Sequence, residues 1–317
     1  MKKTGRPLLL ISTNKEERNE IVSVVKELGL GYVEYLDFES NKGNAFIKVL
    51  RLIKLFVLVL KIKPQKVFGA PGLKSKLITF FARMPYIIYM RTVYVNSEHY
   101  PFISDKIYKF LSKRLRLRLF NAYNADFCIV TNYVTKNYLI KRGVDESNVL
   151  ISGPIWLDKY KRIGNRNTGK FKRVIYITQA FYAHNLAEAQ EGQKRAIKHV
   201  RDESERKRLE FYLRVHPRDK SNYNGYKKMP EDMEEFLAEV NSDDLIISTL
   251  STLAFELIWL GANVIFVKYD EIEDLYSRSY EFLNIKAYSV YELSYEESIH
   301  SENIFGKINF DVFNVLL

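Results

Sequence analysis

The sequence predicts an α/β protein built on two parallel sheets, and three observations carry that reading. Short apolar runs rich in Val, Ile, Phe and Tyr alternate with amphipathic stretches along most of the chain, and strand–helix–strand alternation is the signature of a parallel sheet. A polar, basic stretch with Gly and Asn at 161–172 interrupts the alternation and divides it into two sets. Hydrophobic content of 47% and aromatic content of 14% let a chain of 317 residues bury a core in each half.

In the first set, 8–11 is a strand of four aliphatic residues, followed by an amphipathic helix at 16–28 and a strand at 32–35. Residues 46–62 form a second amphipathic helix. That segment is strongly apolar, but Lys48, Arg51, Lys54 and Lys61 interrupt it and Lys63-Pro64 closes it short of a bilayer crossing. A strand at 66–68 then leads into the loop Gly69-Ala70-Pro71-Gly72. Helices at 74–82, 104–120 and 134–142 alternate with strands at 86–90 and 126–131, and Gly143 suits a left-handed helix cap. From 149–154 the pattern changes, and the boundary falls between domains 1–160 and 161–317. The second set runs as strands at 173–177, 210–215, 245–247 and 264–268, with helices at 190–200, 231–240, 251–260 and 270–283. Residues 246–267 are long enough to span a membrane. Ser248, Thr249, Ser251, Thr252, Glu256, Gly261 and Asn263 fit a strand, turn, helix and strand better. Two Rossmann-like domains facing a central cleft describe the GT-B architecture.

Charge narrows the partners. With 49 Lys and Arg against 38 Asp and Glu, the net charge of +11 favours nucleic acid, anionic lipid or phosphorylated substrates. A nucleic-acid role finds little support: the aromatics lie within apolar runs, and no RRM, KH or zinc motif is present. The single cysteine, Cys128, sits in an apolar run, so no disulfide can form within one chain and a reducing cytoplasm is the expected setting. After Met1-Lys2-Lys3 the apolar run 7–11 is too short for a signal peptide. The 69–72 loop is neither a Gly-x-Gly-x-x-Gly nor a Walker motif, which weakens kinase, NTPase and dehydrogenase readings. Lys109, Lys113, Arg114, Arg116 and Arg118, interleaved with leucines, offer a peripheral membrane contact or simply a solvated helix face.

Three clusters in the second half carry candidate chemistry. Tyr176-Ile177-Thr178-Gln179 marks the end of the strand that starts at 173, and Glu188, Gln190, Glu191 and Gly192 follow. A carboxylate there can act as a general base, or merely favour the dipole of a helix start. Next comes His216-Pro217, flanked by Arg214 and Arg218, where proline ends a strand and leaves an imidazole at its carboxyl end, a ligand position in α/β sheets. Last, Ser248, Thr249, Ser251 and Thr252 lie between a strand and a helix, suited to a phosphate or to N-capping.

In order and spacing, Glu191-Gly192, His216-Pro217 and the Ser/Thr cluster resemble the acidic-acidic-Gly, His-Pro and Ser/Thr motifs of bacterial sialyltransferases and polysialyltransferases of the GT-B fold. The first acidic position of that motif is Gln190 here. The resemblance implies an inverting, metal-independent transfer of sialic acid from CMP-sialic acid to a galactose-type hydroxyl of a bacterial surface glycan, with α-2,3 linkage, at the cytoplasmic side of the plasma membrane. It makes Glu191 the base and His216 the contact to the departing CMP phosphate. Gln179, Gly192, Pro217, Arg218, Ser248, Thr249, Ser251 and Thr252 become donor contacts, with no cofactor. A lipid-diphosphate-linked glycan acceptor would give the basic patch a use. The His-Pro and Ser/Thr signals also resemble Kdo transferases and glycerophosphotransferases, so CMP-Kdo and CDP-glycerol stand as alternative donors, and a non-catalytic nucleotide-sugar binder stands beside them.

Overall fold

The computed structural model describes residues 6–12, 15–36, 45–71, 75, 78–79, 82–91, 125–141, 144–163, 170–295, 299–300 and 303–317. The chain divides into two compact units, Leu157–Ile304 and a first unit that joins Met1–Trp156 to Phe305–Leu317. The basic patch around Lys109–Arg118, the helix expected at 104–120, most of the one at 74–82 and the Gly143 cap lie outside the described residues.

In the first unit, strands β1 (Leu8–Ser12), β2 (Tyr32–Leu36), β3 (Val67–Gly69), β4 (Tyr86–Met90), β5 (Phe127–Val130) and β6 (Val149–Ile151) make a parallel sheet ordered β2-β1-β3-β4-β5-β6. Each residue of β1, β3 and β4 is buried, as expected of parallel strands covered on both faces. Helices α1 (Lys15–Glu27), α2 (Ala45–Ile62) and α3 (Tyr133–Lys141) flank these strands in sequence. Cys128 is buried in β5.

The chain passes into the second unit after Trp156 but does not stay there. Its last residues return to the first. Phe310, Phe313 and Leu316 recur at threes, and in the 3₁₀-helix Phe310–Leu316 that spacing stacks side chains on one face. Phe313 and Leu316 are fully buried there, and the Phe313 ring stands edge-on to Phe68, with centroids 6.3 Å apart.

The second unit holds β7 (Arg173–Ile177), β8 (Glu210–Arg214), β9 (Asp244–Ser248), β10 (Asn263–Lys268) and β11 (Ala287–Ser289), parallel and ordered β11-β10-β9-β7-β8. Burial is nearly complete in β7, β9 and β10 and falls off in the edge strands β8 and β11. The crossovers contain α4 (Ala187–Arg206), α5 (Met233–Glu239), α6 (Thr252–Leu260) and α7 (Asp270–Phe282). Gly261 ends α6 at φ +99°, a left-handed cap that L side chains rarely adopt. Because β7 lies between β8 and β9, the chain leaves it to one side and then crosses back to the other. That reversal makes the carboxyl ends of β7 and β9 a topological switch point, where ligands bind in open α/β sheets.

At the opposite, amino end of β9, Asp244 is the buried first residue of the strand. Arg173 holds it through two bonds of 2.7 Å. Asp243 pairs with Lys172 instead.

Candidate functional site

Three strand ends meet at the switch point, and side chains stitch them together. After β7, the buried Thr178 donates its N–H to the Arg214 carbonyl (3.1 Å), while its hydroxyl oxygen accepts the His216 N–H (2.9 Å). Gln179 reaches the other way, its amide donating to the Leu250 carbonyl (2.7 Å) in the loop between β9 and α6. Its backbone is held in turn by Gln193 of α4, which accepts the Gln179 N–H (2.7 Å) and donates to the Gln179 carbonyl (3.0 Å). Gln179 is thereby fixed as a bridge between the two sides of the switch point.

His216 occupies the turn that Pro217 forces at the end of β8 and is half-buried, whereas Pro217 and Arg218 are exposed. The ring nitrogen Nδ1 accepts the Arg218 N–H (3.1 Å). An imidazole that accepts at Nδ1 carries its proton at Nε2, so neutral His216 is a hydrogen-bond donor at its outer nitrogen. Burial and the neighbouring Arg218 charge hold its pKa below the ordinary 6.5, although Asp219 opposes them. The neutral donor form is the resting state at neutral pH.

Asp219 locks this turn. It takes the Tyr223 hydroxyl (2.7 Å) and the Ser221 N–H (3.0 Å), and its N–H reaches the His216 carbonyl (2.8 Å). Gln190 on α4 completes the network: its oxygen accepts the Phe181 N–H (3.1 Å) and its amide donates to the Tyr223 hydroxyl (3.1 Å). Gln190 is fully buried, so the position that is acidic in the resembled motif is a neutral amide that both donates and accepts here. A carboxylate would have no N–H to give Tyr223.

On the β9 side, Ser248 and Thr249 are fully buried, and neither hydroxyl has a hydrogen-bond partner among the described residues. Buried hydroxyls are ordinarily bonded, and each unsatisfied one costs about 1–3 kcal/mol. The next residue but one, Ser251, occupies the N-cap of α6, yet its side chain makes no capping bond. Local helix capping therefore does not account for the Ser/Thr cluster. Thr252 follows as the first residue of the helix, and both it and Ser251 are partly exposed. Two buried hydroxyls without a partner among the described residues thus shortly precede the uncapped, partially positive end of a helix, and helix N-termini in general favour anions.

Glu191 stands apart from this cluster. It is an exposed residue of α4, where its carboxylate accepts from the Tyr182 hydroxyl (2.5 Å) and Lys194 (2.8 Å). These bonds, Lys194 foremost, hold its pKa below the usual carboxylate value, so it is ionised at neutral pH. Gly192 is closely packed: a Cβ there would overlap the Glu271 carboxylate and lie 2.8 Å from the Tyr269 ring. Arg214 is buried, donates to the Glu231 carbonyl (2.7 Å) and lies 5.0 Å over the Phe236 ring. Sequence reasoning missed Thr178, Gln193, Asp219 and Tyr223. Among the described residues no group of His, Cys, Asp and Glu forms a metal-binding cluster, and no helix is long and apolar enough to cross a membrane.

No protein-family model matches the chain, and no curated protein matches its sequence. Solved structures do resemble it. The UDP-GlcNAc 2-epimerase of Methanocaldococcus jannaschii, in complex with UDP-GlcNAc and UDP, superposes with a TM-score of 0.61 at 12% identity, covering 98% of this chain and 99% of that one. The UDP-GlcNAc 2-epimerase of Neisseria meningitidis bound to UDP-GlcNAc gives 0.58 at 12% identity, with 98% of each chain covered. The glycotransferase of kitacinnamycin gives 0.50 at 11% identity over 92% of this chain and 88% of its own. Such identities speak to fold alone, and the fold they share with this two-sheet chain is GT-B.

Proposed function

We propose that the chain is a glycosyltransferase that uses a nucleotide sugar, with the donor phosphate bound at the carboxyl ends of β7, β8 and β9. The observation that carries this reading is the pair of buried, unpartnered hydroxyls of Ser248 and Thr249 at the switch point, next to an uncapped helix end. A phosphate oxygen is an acceptor for both hydroxyls, for the first N–H groups of α6 and for Nε2–H of His216. As the bond between the anomeric carbon and phosphate oxygen breaks, its electron pair goes to the phosphate. These donors stabilise that charge. The acceptor hydroxyl oxygen forms the new bond to the anomeric carbon and gives up its proton to a general base, a role that the motif resemblance alone assigns to Glu191, which lies apart from the hydroxyl cluster. Gln179 and Thr178 act by holding the two sides of the site in register.

From the motif resemblance, the donor is CMP-sialic acid and the acceptor a galactose-type hydroxyl of a surface glycan. A second reading is favoured by the neighbours, whose names and bound ligands make UDP-GlcNAc the donor or an epimerisation substrate. One screen separates them. The protein is incubated with CMP-sialic acid, CMP-Kdo, CDP-glycerol and UDP-sugars, with a galactoside present and absent, and nucleotide release and sugar identity are followed. Galactoside-dependent CMP release supports sialyl transfer, whereas conversion of UDP-GlcNAc without an acceptor supports epimerisation. If no nucleotide sugar is bound or consumed, the proposal is wrong.

A further inference from the structure

Helix α2 carries an apolar face that neither the core nor the nucleotide site uses. At about 100° per residue, Leu55 and Val59 point to one side and are buried, with Leu52 and Ile62 beside them partly covered. On the opposite side Leu50, Ile53, Val57 and Leu60 are 42%, 52%, 56% and 56% exposed. These four fall within an arc of about 80°, a continuous aliphatic stripe along three turns. Exposed single aliphatics are ordinary, but a stripe marks a contact surface.

We infer that α2 is an interfacial helix that seats the protein on an anionic membrane surface. Charge selects this occupant. The helix contains Lys48, Arg51, Lys54 and Lys61 and no acidic residue, and the whole chain carries +11. Lys54 and Lys61 are exposed and border the apolar stripe on one side, where their ammonium groups can meet lipid phosphates while Ile53 and Val57 enter the acyl boundary. A second copy of the chain fits poorly. A two-fold contact sets each patch against itself and would face these cations with their own copies. Spanning is excluded for this helix by its four charges, so it lies on the surface.

The test is co-sedimentation of the full-length protein with phosphatidylcholine vesicles, with and without phosphatidylglycerol, at low and high salt. Binding should require phosphatidylglycerol and weaken in salt. Lys54→Gln and Lys61→Gln should each lower partitioning by about fivefold, and Val57→Glu by more than about tenfold. Circular dichroism should show unchanged helix content, because these positions are exposed. Nucleotide release with a soluble acceptor should be unaffected, which separates this inference from the proposed activity. Binding that is absent, indifferent to phosphatidylglycerol or unchanged in Val57→Glu overturns it. So does a wild-type dimer that Val57→Glu dissociates, which would make the stripe a self-association face.

Discussion

Replacing Thr249 with valine should stabilise the protein while impairing nucleotide binding. The side chain is fully buried and its hydroxyl has no partner among the described residues. Valine keeps the shape and removes a desolvated polar atom, so about 1–2 kcal/mol of the burial penalty should be recovered. In a body of roughly 150 residues, such as the unit Leu157–Ile304, each kcal/mol moves the melting midpoint by about 2–4 °C, and a rise of about 2–8 °C follows. Nucleotide affinity should move the other way. A hydrogen bond to a charged phosphate contributes about 1.5–3 kcal/mol, so its loss weakens binding by about 10- to 150-fold. Differential scanning calorimetry and titration calorimetry with CMP and UDP measure the two effects on one preparation. Ser204→Ala supplies the control: Ser204 is equally buried but bonds to the Val200 carbonyl (2.7 Å) and the Tyr295 hydroxyl (2.9 Å), so its removal should lower the midpoint. A lowered midpoint in Thr249→Val, or unchanged affinity for both nucleotides, refutes the assignment of this hydroxyl to the ligand.

Glu191→Gln should reduce transfer by about 10²- to 10⁴-fold and leave nucleotide affinity unchanged; equal losses in both would remove Glu191 from the chemistry. Because the Tyr182 hydroxyl helps hold the Glu191 carboxyl below its usual range, Tyr182→Phe should move the acid limb of the kcat/KM profile to higher pH. His216 has a folded-state pKa below the unfolded value of about 6.5, so the unfolded chain takes up the proton first on acidification. Its contribution to stability is complete above that value and is lost as pH falls through it, so His216→Asn should flatten the acid side of a melting-point profile, and an unchanged slope would count against a buried neutral imidazole. Gly192→Ala should cost about 1–3 kcal/mol in urea unfolding, because the new methyl meets the buried Tyr269 ring; a neutral effect would mean that α4 shifts freely against α7.

The strands were legible because parallel strands covered on both faces must be apolar throughout, and 8–11, 86–90 and 174–177 satisfy that with no competing helical period. The turn at His216 and the Ser/Thr cluster were legible from local chemistry, since proline stops a strand and hydroxyls gather at helix starts. The glutamine network was not, because its meaning is tertiary. Its signal was present nonetheless: Gln193 falls on the same face of α4 as Ala189, Ala196, Ile197 and Val200, with Gln190 next to it, and polar side chains at core positions call for specific partners. Asp219 announces itself more weakly through its bond to the Ser221 N–H, a turn that Asp commonly makes two residues ahead. The return of 305–317 to the first unit was hidden by contact order, since nothing nearby in sequence tells Phe313 that its neighbour is Phe68.

Strand β9 contains its own comparison. At its amino end, Asp244 is a buried carboxylate with every requirement met: two bonds from Arg173 and one from the Asn241 N–H (2.9 Å). At its carboxyl end, Ser248 and Thr249 are as deeply buried and have no partner among the described residues. Both ends lie in the same strand between the same neighbours, β7 and β10, so edge effects and poor packing cannot explain the difference. A fold able to satisfy a buried charge at one end has the means to avoid two unpartnered hydroxyls at the other, for instance by valine at 249, which keeps the shape and removes the polar atom. That this was not used is understandable if the missing acceptor is a ligand: stability is given up in the free protein and regained when phosphate oxygens arrive, which is how a site binds its ligand by differential stabilisation of the occupied state.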